Sequence, residues 1–292
     1  MTALRNPKNA LLAALACLAG LTVTGIFAYL VPIAQARDSA TLRGFVALNR
    51  PRVTELIAHV AHLADPRPYA VIGLTLAGVA FCRRKGRVGV AIIFLLFLTG
   101  ATTQTLKQGL AQPRFSDWLG NGQIAAASWP SGHATASMTL AFCAVLAAPP
   151  IARPTVAAVG ALFAVSVSYS ILALGWHFPS DVIGGFFVAS MWTALAVAIL
   201  EALPDRRADA DAGARPTPRL PVPVPRGSTV RSAFGPMVIG SGAVTTVAAA
   251  WLARPEAATT FARERPWFVL GALTIAAMAT ALAAGLARGV DA

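Results

Sequence analysis

Apolar residues cluster along the chain in runs that are long enough to cross a lipid bilayer. The hydrocarbon core of a bilayer needs about 20 helical residues, and helices satisfy their own backbone hydrogen bonds in lipid without closing a barrel. The runs predict eight membrane spans, at residues 10–34, 67–82, 87–106, 132–149, 155–175, 181–203, 234–253 and 267–288. The predicted fold class is all-α: a polytopic membrane helical bundle with a six-helix core and two C-terminal transmembrane helices.

A stretch rich in proline and arginine separates the predicted spans into two groups. Residues 204–233 contain the sequence PTPRLPVPVP, and alternating prolines favour an extended conformation without a core. We expect a six-span core at residues 1–203, which includes an outer interfacial segment at residues 38–66. A two-span appendix is expected at residues 234–292.

Composition and charge also indicate a membrane protein. Hydrophobic residues make up 56% of the chain and charged residues 12%, against roughly 25% charged residues in an average soluble domain. The formal net charge of +12 fits basic residues that flank spans and meet anionic lipid head groups, so the expected partners are membrane lipids and not nucleic acid.

The basic loop at residues 83–87 predicts the orientation: this loop, both termini and the linker are expected on the cytoplasmic side. The Ala- and Arg-rich composition suggests a bacterial inner membrane.

Ionisable side chains at the edges of spans are energetically costly and mark functional sites. Under the predicted topology one group of them shares the outer membrane level: Lys107, Arg114, Asp117, His133, His177 and Asp181. Lys107 and Arg114 supply two cations for an anion such as phosphate. Ser131 and Gly132 open a helix, and the amides at a helix N-terminus favour negative charge.

A second set of candidate ligands lies in the predicted interfacial segment. His59, His62 and Asp65 fall at i, i+3 and i+6 and could in principle meet a metal. Two spaced histidines on an amphipathic helix more often form a solvated or packed face, so we expect no metal site and no cofactor.

Three motifs, in this order, resemble the signature of the type 2 phosphatidic acid phosphatase family of membrane lipid phosphatases, whose site pattern is shared with vanadium haloperoxidases. The family pattern is Lys, six residues, Arg-Pro; then Pro-Ser-Gly-His; then Ser-Arg, five residues, His, three residues, Asp. The chain reads KQGLAQPRF, PSGH and SILALGWHFPSD at these places. Phe115 replaces the last Pro of the first motif, and Ile171 replaces the Arg of the third. Ile171 removes one of three cations, so either another cation such as Arg67 substitutes, or turnover is reduced, or the substrate differs.

The resemblance implies a role for each matching residue. His177 is the implied nucleophile, Asp181 orients it, and His133 protonates the leaving oxygen and then activates water. The groups that would hold the phosphoryl oxygens are Lys107, Arg114, Ser131 and Gly132.

The function that the resemblance implies is hydrolysis of a lipid phosphate or diphosphate at the outer, periplasmic face of the membrane. It proceeds without a metal through a phosphohistidine. Two alternatives stay open: a phosphotransferase on the same scaffold that uses a lipid or sugar acceptor, and a non-catalytic anion-binding membrane protein, which Ile171 favours.

Overall fold

Helices form all of the long regular structure, as the all-α prediction requires. The computed structural model describes residue 4 and residues 6–203 and 254–291, and this part of the chain contains no strand. Its α-helices are α1 (Pro7–Leu30), α2 (Pro32–Val46), α3 (Pro51–His62), α4 (Pro66–Cys82), α5 (Gly86–Gly109), α6 (Gly132–Ala147), α7 (Arg153–Ala173), α8 (Pro179–Ala202), α9 (Pro255–Glu264) and α10 (Pro266–Asp291). Short 3-10 turns occur at Asp117–Leu119, Ala126–Ser128 and Pro150–Ala152.

Proline determines where many of these helices begin. Proline at the first helical position loses no intrahelical hydrogen bond, and its fixed φ suits the helix. Pro32 also explains an error in the predicted first span, which was placed at residues 10–34. The residue before a proline is disfavoured in the helical region, so Val31 is extended (φ −115°, ψ 101°) and α1 ends at Leu30. The chain then continues in α2 as a separate helix.

Five helical segments in the described part are long and apolar enough to cross a membrane. They are Pro7–Leu30, Gly86–Gly109, Pro150–Ala173, Pro179–Ala202 and Pro266–Val290. The predicted spans at 67–82 and 132–149 correspond to helices that are shorter than these five segments: α4 has 17 residues and α6 has 16. The predicted span at 234–253 lies outside the described residues. The fold is that of a multi-pass helical membrane protein.

Helix α6 is the centre of the bundle. It packs against α4, α5, α7, α8 and α10, and nearly all of its side chains are buried. Its small residues, such as Ala134, Ser137 and Ala141, suit a helix that is surrounded by others, because small side chains let neighbouring backbones approach. The N-terminus of α6 is therefore held in a defined position relative to the ends of α5, α7 and α8.

The C-terminal helix α10 shares this core. It packs mainly on α7 and α2, and Ile275 and Ala279 are fully buried. The Tyr169 hydroxyl donates a hydrogen bond to the Ala272 carbonyl at 2.6 Å, and the Thr41 hydroxyl donates one to the Trp267 carbonyl at 3.0 Å. The predicted linker, residues 204–233, lies outside the described residues, so the division into a core and an appendix stays a prediction.

Gly185 allows α8 to approach the start of α6 closely. A Cβ atom at this position would lie 2.8 Å from the Ser131 carbonyl oxygen and 2.9 Å from the Thr135 backbone nitrogen. Both are backbone atoms that a rotamer change cannot move, so glycine is needed for the contact between the two helices.

We expect Gly185→Ala to lower the melting temperature in detergent by several degrees, because overpacking of this kind costs about 1–3 kcal/mol. Gly100→Ala is the matched control, since a Cβ at Gly100 in α5 would meet no atom within 4 Å. The control should leave the melting temperature unchanged or raise it slightly. Equal melting temperatures for Gly185→Ala and the wild type would contradict the close approach.

Candidate active site

The N-termini of α6 and α8 meet at one end of the bundle. The Ser131 amide donates a hydrogen bond to the Asp181 carbonyl at 2.9 Å, which ties the two helix starts together. The Ser131 hydroxyl accepts a hydrogen bond from the Ala134 amide at 3.3 Å and so caps α6. A Cβ at Gly132 would meet nothing within 4 Å, so the first turn of α6 borders open space. The remaining amides of this turn can therefore face a bound anion.

His177 and Asp181 form a buried pair at the start of α8. His177 Nδ1 lies 3.2 Å from Asp181 Oδ2, and the Phe178 amide donates to the same oxygen at 3.0 Å. Asp181 is 0% exposed and His177 is 6% exposed. An Nδ1–H donated to the carboxylate fixes the tautomer whose Nε2 carries the free lone pair, and this is the atom required of a nucleophile.

His133 lies beside His177 and contacts a different carboxylate, that of Asp65. The two imidazole centroids are 6.3 Å apart. His133 Nε2 lies 3.0 Å from Asp65 Oδ1, and His62 Nδ1 lies 2.9 Å from Asp65 Oδ2. Although partial burial acts to raise it, the hydrogen bonds and charges of His133 and His62 hold the pKa of Asp65 below its usual value. Asp65 is therefore a carboxylate shared by two imidazoles.

The Arg114 guanidinium is almost completely buried, between aromatic rings and several polar partners. It donates to the Ser180 hydroxyl at 3.0 Å, to the Ser128 hydroxyl at 2.7 Å and to Asp181 Oδ1 in a short ion pair. Its Nη1 also lies 3.6 Å from Asp38 Oδ2, and the side chain is 7% exposed. Arg114 thus links the loop after α5 to the start of α8.

Asp38 brings a further carboxylate from α2 to this cluster. The Ser180 amide and hydroxyl both donate to it, at 2.9 and 2.6 Å. Burial raises the pKa of Asp38 to about 6; the charge of Asp181 acts in the same direction, whereas the Ser180 hydrogen bonds and the Arg114 charge oppose it. The site therefore contains a carboxyl group that changes charge at mildly acidic pH.

Lys107 lies at the same end of the bundle, near the C-terminus of α5. It is half-buried and interacts electrostatically with Asp181 and His133. It makes no hydrogen bond or ion pair with any residue that the structure describes. Lys107 therefore remains available to an anion in the space beside the two imidazoles.

The position of the family's third cation is apolar. Ile171 is fully buried in the hydrophobic core, and its backbone carbonyl accepts a hydrogen bond from the Trp176 amide at 2.9 Å. The substitute considered from the sequence, Arg67, is exposed on α4 and contacts no described residue through a hydrogen bond or ion pair. His59 bonds to the Glu55 carbonyl of its own helix at 2.7 Å, away from Asp65.

All seven residues proposed from the motifs lie at this end of the bundle, but the sequence analysis missed four of their neighbours. These are Asp38, Asp65 as a partner of His133, Ser128 and Ser180. Asp38 lies between Arg37 and Ser39 in a polar part of α2, so its sequence context gave no signal for this role. Among the described residues there is no group of three or more His, Cys, Asp or Glu side chains arranged to hold a metal ion.

The raised pKa of Asp38 predicts a pH-dependent contribution to stability. Its pKa of about 6 in the folded protein exceeds the ordinary value of 3.8, so the folded state binds the proton more tightly. The free energy of unfolding of the wild type, relative to Asp38→Asn, should therefore fall by about 2–3 kcal/mol as the pH rises from 4 to 6 and change little above that. Denaturant unfolding in detergent across this range measures the difference. A flat difference would contradict the prediction, and Asp117→Asn, in an exposed loop, is the matched control.

Comparison with known proteins agrees with the motifs. Residues 88–204 match the family model of the PAP2 superfamily. A solved structure, the first transmembrane PAP2-type phosphatidylglycerolphosphate phosphatase from Bacillus subtilis, matches with 21% identity and a TM-score of 0.46, over 68% of this chain and 96% of that chain. No curated protein matches the sequence. The resemblance found in the motifs is confirmed by the family-model match, which covers residues 88–204 and therefore all three motifs.

Proposed function

We propose that the protein is a membrane phosphatase that hydrolyses a lipid phosphate or diphosphate through a phosphohistidine. The family assignment of residues 88–204 supports phosphatase chemistry at the family level. The observation that carries the finer proposal is the pair of imidazoles 6.3 Å apart, each bound to its own carboxylate. A nucleophile and an acid–base group in this relation are what a two-step phosphoryl transfer requires.

In the first step the His177 Nε2 lone pair attacks phosphorus. The N–P bond forms as the bond between phosphorus and the leaving oxygen breaks, and His133 gives its proton to that oxygen. Asp181 stabilises the positive charge that develops on the His177 ring, because its carboxylate accepts the Nδ1–H. The lipid alcohol, or the lipid monophosphate if the substrate is a diphosphate, leaves with this proton on the oxygen that was bonded to phosphorus.

In the second step a water molecule hydrolyses the phosphohistidine. His133, now neutral, takes a proton from the water as its oxygen bonds to phosphorus, and the N–P bond breaks. The electron pair returns to His177 Nε2, inorganic phosphate is released, and His133 regains the proton that it gave away. The cycle therefore balances without another proton donor.

Positioning and charge neutralisation supply most of the catalysis in phosphoryl transfer. In this proposal Lys107, Arg114, Ser131 and the Gly132 amide hold the phosphoryl oxygens and neutralise their charge. Because Arg114 is already paired with Asp181, it attracts the phosphoryl oxygens less strongly than an unpaired guanidinium would. The same residue therefore both holds the Asp181 carboxylate and contributes to the anion site.

The position of the site argues for an amphiphilic substrate. The residues proposed to act on phosphorus lie at the ends of α5, α6 and α8, and α5 and α8 are long enough to span a membrane. A head group that already lies at this depth reaches the site without leaving the bilayer. A lipid phosphate such as phosphatidic acid, phosphatidylglycerol phosphate or a polyprenyl phosphate has this form.

His177→Ala should abolish phosphate release. Because the variant has no nucleophile, we expect the rate on a panel of lipid phosphates to fall on the order of 10³-fold or more. His59→Ala, an exposed histidine on α3, is the matched control and should retain the wild-type rate. The measurement is inorganic phosphate released by purified protein in detergent, without an added acceptor.

Three outcomes would count against the proposed function. Equal phosphate release with and without His177 would exclude the mechanism. A ³²P-labelled protein that loses its label only when a lipid or sugar acceptor is added would indicate a phosphotransferase. Binding of phosphate without turnover in any condition would indicate the anion-binding protein that Ile171 favours.

The proposed orientation places the site outside and the basic loop at 83–87 inside. In a background with Cys17→Ser and Cys82→Ser, an impermeant maleimide should label Asn121→Cys in right-side-out vesicles and Arg83→Cys only in inverted ones. Labelling in the reverse pattern would contradict the orientation. Both positions are exposed, so a difference in labelling reports the side of the membrane.

A further inference from the structure

A row of three imidazoles and two carboxylates leads from the protein surface into the site. Its members are His62, Asp65, His133, His177 and Asp181, and the exposed fraction of their side chains falls along the row from 56% to 38%, 23%, 8% and 0%. The resemblance to known enzymes assigns the last three members. His62 and Asp65 lie outside residues 88–204, and no motif assigns them a role.

The local sequence explains why Asp65 is free to bind imidazoles. Asp65 is the N-cap of α4, where an aspartate normally accepts a hydrogen bond from an amide of the first turn. This side chain makes no such bond. Pro66 and Pro68 have no N–H, so two of the nearby backbone donors are missing. The carboxylate points instead to His133 and His62, on two other elements of the fold.

We propose that Asp65 is the positioning residue of His133, in the relation that Asp181 has to His177, and that His62 holds the second oxygen of Asp65 in place. This inference rests on the proposed phosphatase function. Asp65 Oδ1, at 3.0 Å from His133 Nε2, accepts its N–H, so the Nδ1 atom of His133 is the one that exchanges a proton with the leaving oxygen and with water.

Asp65 acts through charge and orientation, and it does not supply a proton. His133 gives one proton in the first step and regains one in the second, so the catalytic cycle uses no further donor. His133 is, however, positively charged before the first step and after the second. An anionic partner in direct contact stabilises that imidazolium, as it does in other oriented-histidine sites.

The surroundings of His133 make this negative charge necessary. The ionisable groups that act on it from neighbouring elements are Asp65, His177 and Lys107. Lys107 disfavours a positive charge on His133, as does His177 whenever its ring is charged, and Asp65 alone among the three favours it. Without Asp65, a protonated His133 would have no attractive neighbour among these groups.

His62 and Trp176 support the Asp65 carboxylate and the ring of His133 in their relative positions. His62 Nδ1 contacts Asp65 Oδ2 at 2.9 Å. The Trp176 ring lies against both imidazoles, with centroids 5.6 Å from His62 and 5.6 Å from His133. Both oxygens of Asp65 are bound, so a rotation of the carboxylate away from His133 would also break its contact with His62.

The test compares Asp65→Asn with the wild type on two substrates with different leaving groups. On a lipid phosphate, whose alkoxide needs a proton, we expect kcat to fall about 10²-fold with little change in KM. On p-nitrophenyl phosphate, whose phenolate leaves without one, the first step should be almost unaffected, visible as a normal burst of nitrophenolate. Asp65→Glu should recover part of the lost kcat, because it restores the negative charge.

The matched controls lie on α3. His62→Ala should lower kcat on the lipid phosphate by less than tenfold, because Asp65 keeps its charge but loses its support. His59→Ala, three residues away and bonded to its own helix, should have no effect. Equal kcat values for the wild type and Asp65→Asn, or an equal loss on both substrates in the burst phase, would overturn the proposal.

A stability measurement separates this proposal from the proposed function. The melting-temperature shifts of Asp65→Asn and His133→Gln should be sub-additive in the double variant, because the two changes remove one interaction. Additive shifts would overturn the contact whether or not the protein is active. Sub-additive shifts in a protein that releases no phosphate from any substrate would keep the contact and refute the phosphatase function, and with it a positioning role in catalysis.

Discussion

The buried ion pair between Arg114 and Asp181 is the interaction on which the geometry of the site depends. Asp181 is fully buried, and a buried carboxylate without a partner is strongly unfavourable; breaking such a pair costs about 3–5 kcal/mol. One Asp181 oxygen binds Arg114 and the other binds His177 and the Phe178 amide. The cation that was expected to hold phosphate therefore also fixes the carboxylate that orients the proposed nucleophile.

The charges around this pair give the site a nearly balanced electrostatic environment. Arg114 and Lys107 face the carboxylates of Asp181 and Asp38, and the apolar Ile171 stands where the family pattern has an arginine. A phosphoryl dianion bound here adds negative charge. It should therefore raise the pKa of Asp38, which is already near 6 because of burial. Protonation of Asp38 would remove one negative charge from the site. This would compensate in part for the arginine of the family pattern that Ile171 replaces.

Local patterns predicted the fold class and the motif residues, and they failed where the structure depends on distant contacts. The apolar runs predicted the five helices that are long enough to cross a membrane, because the bilayer sets their length, although the first helix ends before Pro32 and two other predicted spans are shorter helices. The spacing of His177 and Asp181 puts both on one helix start, which a sequence reveals directly. The Asp38–Ser180 and Asp65–His133 contacts join residues 142 and 68 positions apart. No periodicity or spacing encodes such pairs.

These distant contacts show that the residues matched by the family model do not form the candidate site by themselves. Residues 88–204 contain the three motifs, yet a carboxylate on α2 and another at the start of α4 bind the motif residues from outside that segment. The difference in exposure between the two imidazoles fits their proposed roles. The side chain of His177 is 8% exposed and that of His133 is 23% exposed, so the proposed nucleophile is shielded from water and the group proposed to activate water is not. Because Asp65 enters from the exposed side, it can stabilise His133 without closing that route, whereas a carboxylate as deeply buried as Asp181 could not.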